Sequence, residues 1–304
     1  MKSIMSNKHA YLIMAHNQPE LLCCLLRALD HEKNDIFLHL DRKMPSCDES
    51  VFEDQVKKGS LTILPQRLDV KWGQYSQIQC ELNLLEAASQ EKHAYYHLMS
   101  GVDFPLKSQD HIHRFFEEQK GVEFVQFQAE QLDEPTKDRV RKYHLFIKRS
   151  GTKNILERFL NKVIMLLQLP VNRTRNMETT LQKGANWFSI TDELARYVLT
   201  QKEFVHQVFR HSLCGDEMCL QTLIYNSEFR DRVVGDNYCD NYRNILYCID
   251  WKRGSPYEFT DADYDELIAS DMLFARKFNW NKDNRVVLRL LDVVTGENDR
   301  DLLK

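Results

Sequence analysis

An α/β fold with a mostly parallel sheet is what the first 127 residues predict, on three observations. Short apolar runs alternate with longer segments of helical period. The first two runs are joined through one helical segment, the β–turn–α–β unit that sets strands parallel. Both runs end in polar residues, His16-Asn17 and Asp41, at the edge where open α/β sheets bind ligands.

The elements follow in order. Ala10–Ala15 reads as a buried strand, and Pro19 opens a helix with Glu20 in its first turn. Asp35–Leu40 is the second strand and Leu61–Leu64 the third. After the aromatic loop Trp72-Gly73-Gln74-Tyr75, Ser76 and Gln79 form a capping box for a helix to about Ser89. Tyr95–Met99 is a strand, Ser108 caps a helix to Glu118, and Val122–Phe127 is another strand. Residues 128–183 break the alternation with a basic excursion, in which Ile155, Phe159, Lys162, Val163 and Leu166 recur at helical spacing flanked by Arg158. Lys183–Ile190 returns to a strand-like run, and Thr191 begins a helix. Ile245–Ile249 is a strand, a helix starts near Asp261, and Leu273–Phe278 follows. Residues 283–295 close the chain as a helix or strand. One domain is expected over 1–304: a nucleotide-binding half at 1–127, the basic insertion at 128–183, and an acceptor-side half at 184–304.

Composition narrows the function. The 304 residues are 43% hydrophobic and 28% charged, an ordinary globular balance. A net charge of −4 argues against a nucleic-acid partner. Residues 139–183 carry 11 Lys/Arg against two acids, so this stretch is +9 and the remainder −13. Such a patch fits a helical excursion packed on the domain, or a surface for anionic acceptors or a membrane. No apolar run approaches the roughly 20 residues that span a bilayer. The N-terminal MKSIMSNKHA lacks the apolar core of a signal peptide, and none of the eight cysteines forms C-x-x-C. Reduced thiols and a cytoplasmic location, peripheral on the inner membrane face through 139–183, are the expectation.

Cys214–Asn226 carries the chemistry. Gly215-Asp216 reads as a turn into a helix, Asp216 as the N-cap and Glu217 as a first-turn residue. A carboxylate there either complements the helix dipole or serves as a general base. Two other patterns invite a metal. His111-Ile112-His113 has no further ligands nearby and reads as a solvated helix start. Asp261-Ala262-Asp263 matches the D-x-D of metal-dependent sugar-nucleotide transferases, yet its setting before a helix suits a cap. Asp299-Arg300-Asp301 is a weaker match in the tail.

Several blocks, in order, resemble the core-2/I-branching β-1,6-N-acetylglucosaminyltransferase family, which includes peptide O-xylosyltransferases. They are AYLIMAHNQPELLCCLLRAL, IFLHLD, VKWGQYSQIQCELNLL, YYHLMSGVDFPLKS, GANWFSIT, GDEMCLQTLIYNS, IDWKRGSPY and LFARKF, covering most of the chain except 128–183. The resemblance implies a GT-A-like fold and inverting transfer from a UDP-sugar to a glycan hydroxyl, with neither metal nor cofactor. UDP-GlcNAc is the first donor it implies, with UDP-xylose the alternative. Glu217 matches the catalytic base. Lys277 matches one diphosphate-binding cation. The second is an arginine that relatives often carry before IDW, where this chain has Tyr247, so Arg253 or Arg243 stands in, Arg253 favoured. Asp41 matches a uracil contact, Trp72 an aromatic near the nucleotide, and Met14 and Ala15 offer backbone groups to the base. Asp103, Trp187 and Asp216 are assigned to the donor and acceptor pocket. Without the anchor of Golgi members the chain is expected to be a bacterial form, its acceptor a glycan or lipid-linked saccharide. The alternative class is a non-catalytic module binding a nucleotide or glycan, which the Tyr247 departure favours.

Overall fold

The computed structural model describes residues 7–45, 48–144, 163–164, 166–235, 238 and 242–296. The expected helix positions Ile155, Arg158, Phe159 and Lys162, and the motif Asp299-Arg300-Asp301, lie outside them.

The fold is α/β, with a mixed, mostly parallel sheet flanked by helices. The main sheet has the order β3 (Ser60–Ile63), β2 (Asn34–Leu40), β1 (His9–Ala15), β4 (Tyr95–Ser100), β6 (Ser189–Thr191). All neighbours are parallel except β6, which runs antiparallel to β4. A second sheet has β5 (Asp103–Pro105) against β8 (Phe274–Arg276) and β8 beside β7 (Tyr247–Ile249).

Successive side chains of a strand leave opposite faces. In β1, Tyr11, Ile13 and Ala15 enter one hydrophobic core, and Ala10 and Leu12 the other. Both faces are covered, which is why the strand reads as one unbroken apolar run. The first core takes α1 (Pro19–Leu29), α2 (Ser50–Glu53), the second sheet and the closing helix Arg285–Thr295. The second takes α3 (Tyr75–Ala88) and the helix that carries Glu217.

Local chemistry sets the element ends. Pro19 opens α1, and Gln18 before it adopts φ 55 while its Oε1 accepts the Trp280 N–H at 2.6 Å. Ser108 caps α4 (Gln109–Glu118) as expected, accepting from the His111 N–H. Thr191 likewise caps the helix Asp192–Thr200.

Four expectations change. The Ser76 capping box is absent: α3 starts at Tyr75 with Gln74 as N-cap, and Ser76 Oγ instead accepts the Lys71 N–H at 2.9 Å. Val122–Phe127 is no strand but pairs through isolated bridges at Glu123 and Phe124. Buried Glu123 is turned to Thr191, accepting its N–H at 2.8 Å and its hydroxyl at 2.6 Å. Of Lys183–Ile190 only the end is strand, because the preceding residues bond to the Glu217 helix instead. His113 is buried rather than solvated, its Nε2 2.8 Å from Asn34 Oδ1.

Candidate active site

The helix of Glu217 spans Asp216–Tyr225, after α5 (Glu134–Arg141), Asp192–Thr200 and Lys202–Phe209. Its N-terminus is pinned by three backbone hydrogen bonds from distant segments. The Cys214 N–H donates to Gly73 O at 2.9 Å, Leu213 to Arg139 O at 2.9 Å, and Gly184 to Glu217 O at 2.9 Å. Two glycines permit this. Gly73 sits at φ +72, a region costly to other residues. At Gly184 an added Cβ would lie 1.8 Å from Gln126 O.

These ties gather a cleft of about 240 Å³. Glu217 lines it with Trp72, Trp187 and Trp251, and with Lys183 and Arg276. Trp72 is 63% exposed and Trp251, tilted against the Tyr242 ring at 6.1 Å, is 50% exposed, so both open to solvent. Glu217 Oε2 accepts from Arg139 Nη1 at 2.8 Å, with Lys183 Nζ 3.6 Å away. Its Oε1 has no hydrogen-bond partner among the described residues.

Asp216 is not the N-cap. Gly215 holds that position, where an added Cβ would lie 2.2 Å from Ser212 Oγ, and Asp216 stands beside Glu217 in the first turn. Its Oδ2 accepts from Gln77 Nε2 at 2.9 Å, and Oδ1 has no partner. Burial, then the Glu217 charge, pushes its carboxyl up to about 7. Behind it on α3, burial and then Asp216 hold Glu81 well above the usual carboxylate range.

Arg276 lies 4.1 Å above the Trp187 ring, with its Nη1 3.7 Å from Asp103. Asp103 is fully buried: it accepts from the Ser100 N–H and hydroxyl at 2.9 Å and from the Tyr247 hydroxyl at 3.3 Å. It therefore reaches the cleft only through Arg276. Tyr247 stacks on Trp187 at 6.4 Å, so the tyrosine that replaces an expected arginine braces the wall.

The two arginines singled out from sequence stand elsewhere. Arg253 is held by Asp250, Asp263 and Glu266, and lies over the Tyr257 ring. Arg243 pairs with Asp271 at the surface. Neither lines the cleft, and Arg276 is the arginine that does. The D-x-D carboxylates are also engaged. Asp261 accepts from Arg289 at 2.8 Å, and Asp263 completes a capping box with Thr260. Among the described residues no group of three or more His, Cys, Asp or Glu is placed to hold a metal.

The remaining candidates cluster at the C-terminal ends of β1 and β2. Asp41 is buried, accepting the Lys43 N–H at 2.8 Å and the Val70 N–H at 2.9 Å. The Met14 carbonyl accepts from Gly101 and the Ala15 carbonyl from Asp41, so both are used within the fold. Lys277 lies 3.5 Å from Glu258. It is near enough to His16 that its charge and that of Lys43 add to burial in lowering that imidazole's pKa. Lys43 and Lys277 thus bring positive charge to His16, just past the end of β1.

A model of the Core-2/I-Branching enzymes matches residues 9–272. The chain belongs to that family of glycosyltransferases. Xylosyltransferase 2 of Canis lupus familiaris and of Homo sapiens are each 24% identical over 93% of the chain. Xylosyltransferase oxt of Drosophila pseudoobscura pseudoobscura is 23% identical over 90%. The chain spans about a third of the length of these relatives. Among solved structures, mouse xyloside xylosyltransferase 1 aligns at TM-score 0.36 and 10% identity over 90% of this chain and 98% of that one, too loose a likeness to carry an argument. No helix among the described residues is long and apolar enough to cross a membrane.

Three basic residues escaped the sequence reading: Lys183 and Arg276, which line the cleft, and Arg139, which holds Glu217. Arg139 and Lys183 are basic residues in a basic stretch, and only the fold brings them to Glu217. Arg276 neighbours Lys277 in LFARKF. Arg276 is the last residue of β8, and Lys277 lies just beyond it.

Proposed function

We propose that this chain is an inverting glycosyltransferase that moves a sugar from a UDP-sugar to an acceptor hydroxyl, on a GT-A-like fold, with Glu217 as general base. The observation that carries the reading is the state of Glu217. One carboxylate oxygen is held by Arg139, the other has no hydrogen-bond partner among the described residues, and the side chain lines a tryptophan-walled cleft. An acceptor hydroxyl seated against Oε1 gives its proton to Glu217 as its oxygen attacks the anomeric carbon. The bond from that carbon to the diphosphate breaks, and UDP leaves with the electron pair. Arg276 at the cleft and Lys277 at the strand edge supply positive charge to the leaving diphosphate. The metal-free reading draws support from the engagement of Asp261 and Asp263 by arginines. The xylosyltransferase names of the relatives bring UDP-xylose level with UDP-GlcNAc as donor.

The test is UDP release from UDP-xylose, UDP-GlcNAc and UDP-glucose in EDTA, with a panel of saccharide acceptors. Glu217→Gln should lower turnover by about 10²–10⁴-fold, the usual worth of a general base, and leave UDP binding by thermal shift intact. Turnover within threefold of the parent would remove Glu217 from that role. UDP binding without transfer from any donor would favour the non-catalytic module, for which the Tyr247 replacement is the supporting feature.

A further inference from the structure

The main sheet has a second cavity at its opposite edge. It encloses about 320 Å³, within the roughly 300–1,000 Å³ of small-molecule sites. The first residues of β1 and β4, His9 and Tyr95, line it, as do Lys33 and Lys92, which precede β2 and β4. It shares no residue with the Glu217 cleft. The seven residues of β1 separate the two edges by roughly 20 Å.

The floor is made of buried rings, with His9 3%, His93 2% and Phe116 1% exposed. His93 has one nitrogen in use and one open. Its Nε2 lies 3.0 Å from Asp35 Oδ2, so the proton belongs on Nε2, donated to that carboxylate. Nδ1 is buried without a partner. Buried polar atoms are normally satisfied, so this orphan marks His93 as an imperfectly packed ring in the cavity floor.

The rim is cationic and uncompensated. Lys33, Lys92 and Lys120 are exposed, and their ammonium groups make no hydrogen bond or ion pair among the described residues. Of the carboxylates on the same wall, Glu193 is paired with Arg232 and Asp192 with Arg196. Glu117 alone stands against the three lysines.

We propose that this cavity is a second ligand site, taking a sugar that bears a phosphate or a carboxylate. The anion would meet the three ammonium groups, and the sugar would sit in the cavity above the buried ring floor. The site is separate from the transfer reaction and does not depend on its assignment.

The experiment is calorimetric titration of the full chain, saturated with UDP, with glucose 1-phosphate, glucuronate, glucose and inorganic phosphate in turn. At least one sugar anion should bind saturably, glucose should not, and inorganic phosphate should bind at least tenfold more weakly. The preferred anion assigns the head group as phosphate or carboxylate. The triple variant Lys33→Gln, Lys92→Gln, Lys120→Gln changes only exposed side chains. It should weaken the sugar anion at least tenfold while UDP binding and thermal midpoint stay unchanged. In the parent, the His93 ring resonances should shift on binding. The proposal fails if neither sugar anion binds saturably, if the triple variant binds as the parent does, or if phosphate alone binds as tightly.

Discussion

Replacing Asp216 by asparagine should stabilise the protein at pH 8 and change little at pH 5. The Asp216 carboxyl is buried, and burial, then the charge of Glu217, lifts its pKa from an ordinary 3.8 to about 7. The folded chain therefore holds this proton more tightly than the unfolded chain. The contribution to stability is most favourable below about 3.8 and is lost as pH rises through about 7. At pH 8 the folded state carries a buried carboxylate, at a cost of at most about 4 kcal/mol by linkage. Asparagine keeps an acceptor for the Gln77 N–H. It also sets its amide where Oδ1 has no partner, an unsatisfied group costing about 1 kcal/mol. The net gain at pH 8 is about 2–3 kcal/mol, or about 5 °C in Tm for a chain of this size. At pH 5 the folded carboxyl is neutral but the unfolded one is ionised, a linkage cost to the parent of about 1.6 kcal/mol that the unsatisfied amide of the variant largely offsets, so the change should stay within about 1 kcal/mol. Urea unfolding followed by tryptophan fluorescence at both pH values gives the two differences directly. Equal effects at pH 5 and pH 8, or a net loss at pH 8, would refute the reasoning.

Three further outcomes follow from the same geometry. Arg139→Gln frees Glu217 Oε2 from a charge-assisted hydrogen bond, so kcat/KM should fall by about 10–100-fold in steady-state assays, with UDP affinity unchanged. Gly184→Ala drives a methyl group into Gln126 O and breaks the tie to Glu217, so chemical denaturation should show a loss above about 3 kcal/mol; a loss under 1 would contradict the packing. Burial first, then His31 and Lys33, lower His113 to about 4. Its neutral form is favoured in the fold, so the stability it contributes is present above pH 6.5 and drains as pH falls toward 4. Urea melts between pH 7 and 4.5 should lose less stability in His113→Gln than in the parent.

The strand–helix–strand opening was legible because its pattern is local. Pro19 marks a helix start, and a strand covered on both faces shows as a continuous apolar run. Glu217 was legible as a first-turn residue, and Trp72 and Trp187 stand with it at the cleft. Asp216 was displaced from the cap by one position, because Gly215 packs too closely on Ser212 to be anything but the turn itself. Ser76 met its spacing rule, but its hydroxyl was taken by Lys71. Asp103 looked like a polar strand end, yet β5 and β8 fold over it and turn it inward to Tyr247 and Arg276. Arg253 and Arg243 looked free because their carboxylate partners are recognisable only after folding. The same holds for the Arg139–Glu217 pair, 78 residues apart in the chain.

Arg139 and Lys183 stand at the two ends of the basic excursion, and both reach Glu217 Oε2. The excursion is therefore tied at each end to the group that would accept the proton. Exchanging this excursion between relatives replaces the grip on the base together with whatever the segment itself recognises. A graft that spares both junction residues keeps that grip, so the boundaries of the graft, as much as its contents, decide whether a chimaera retains a working carboxylate.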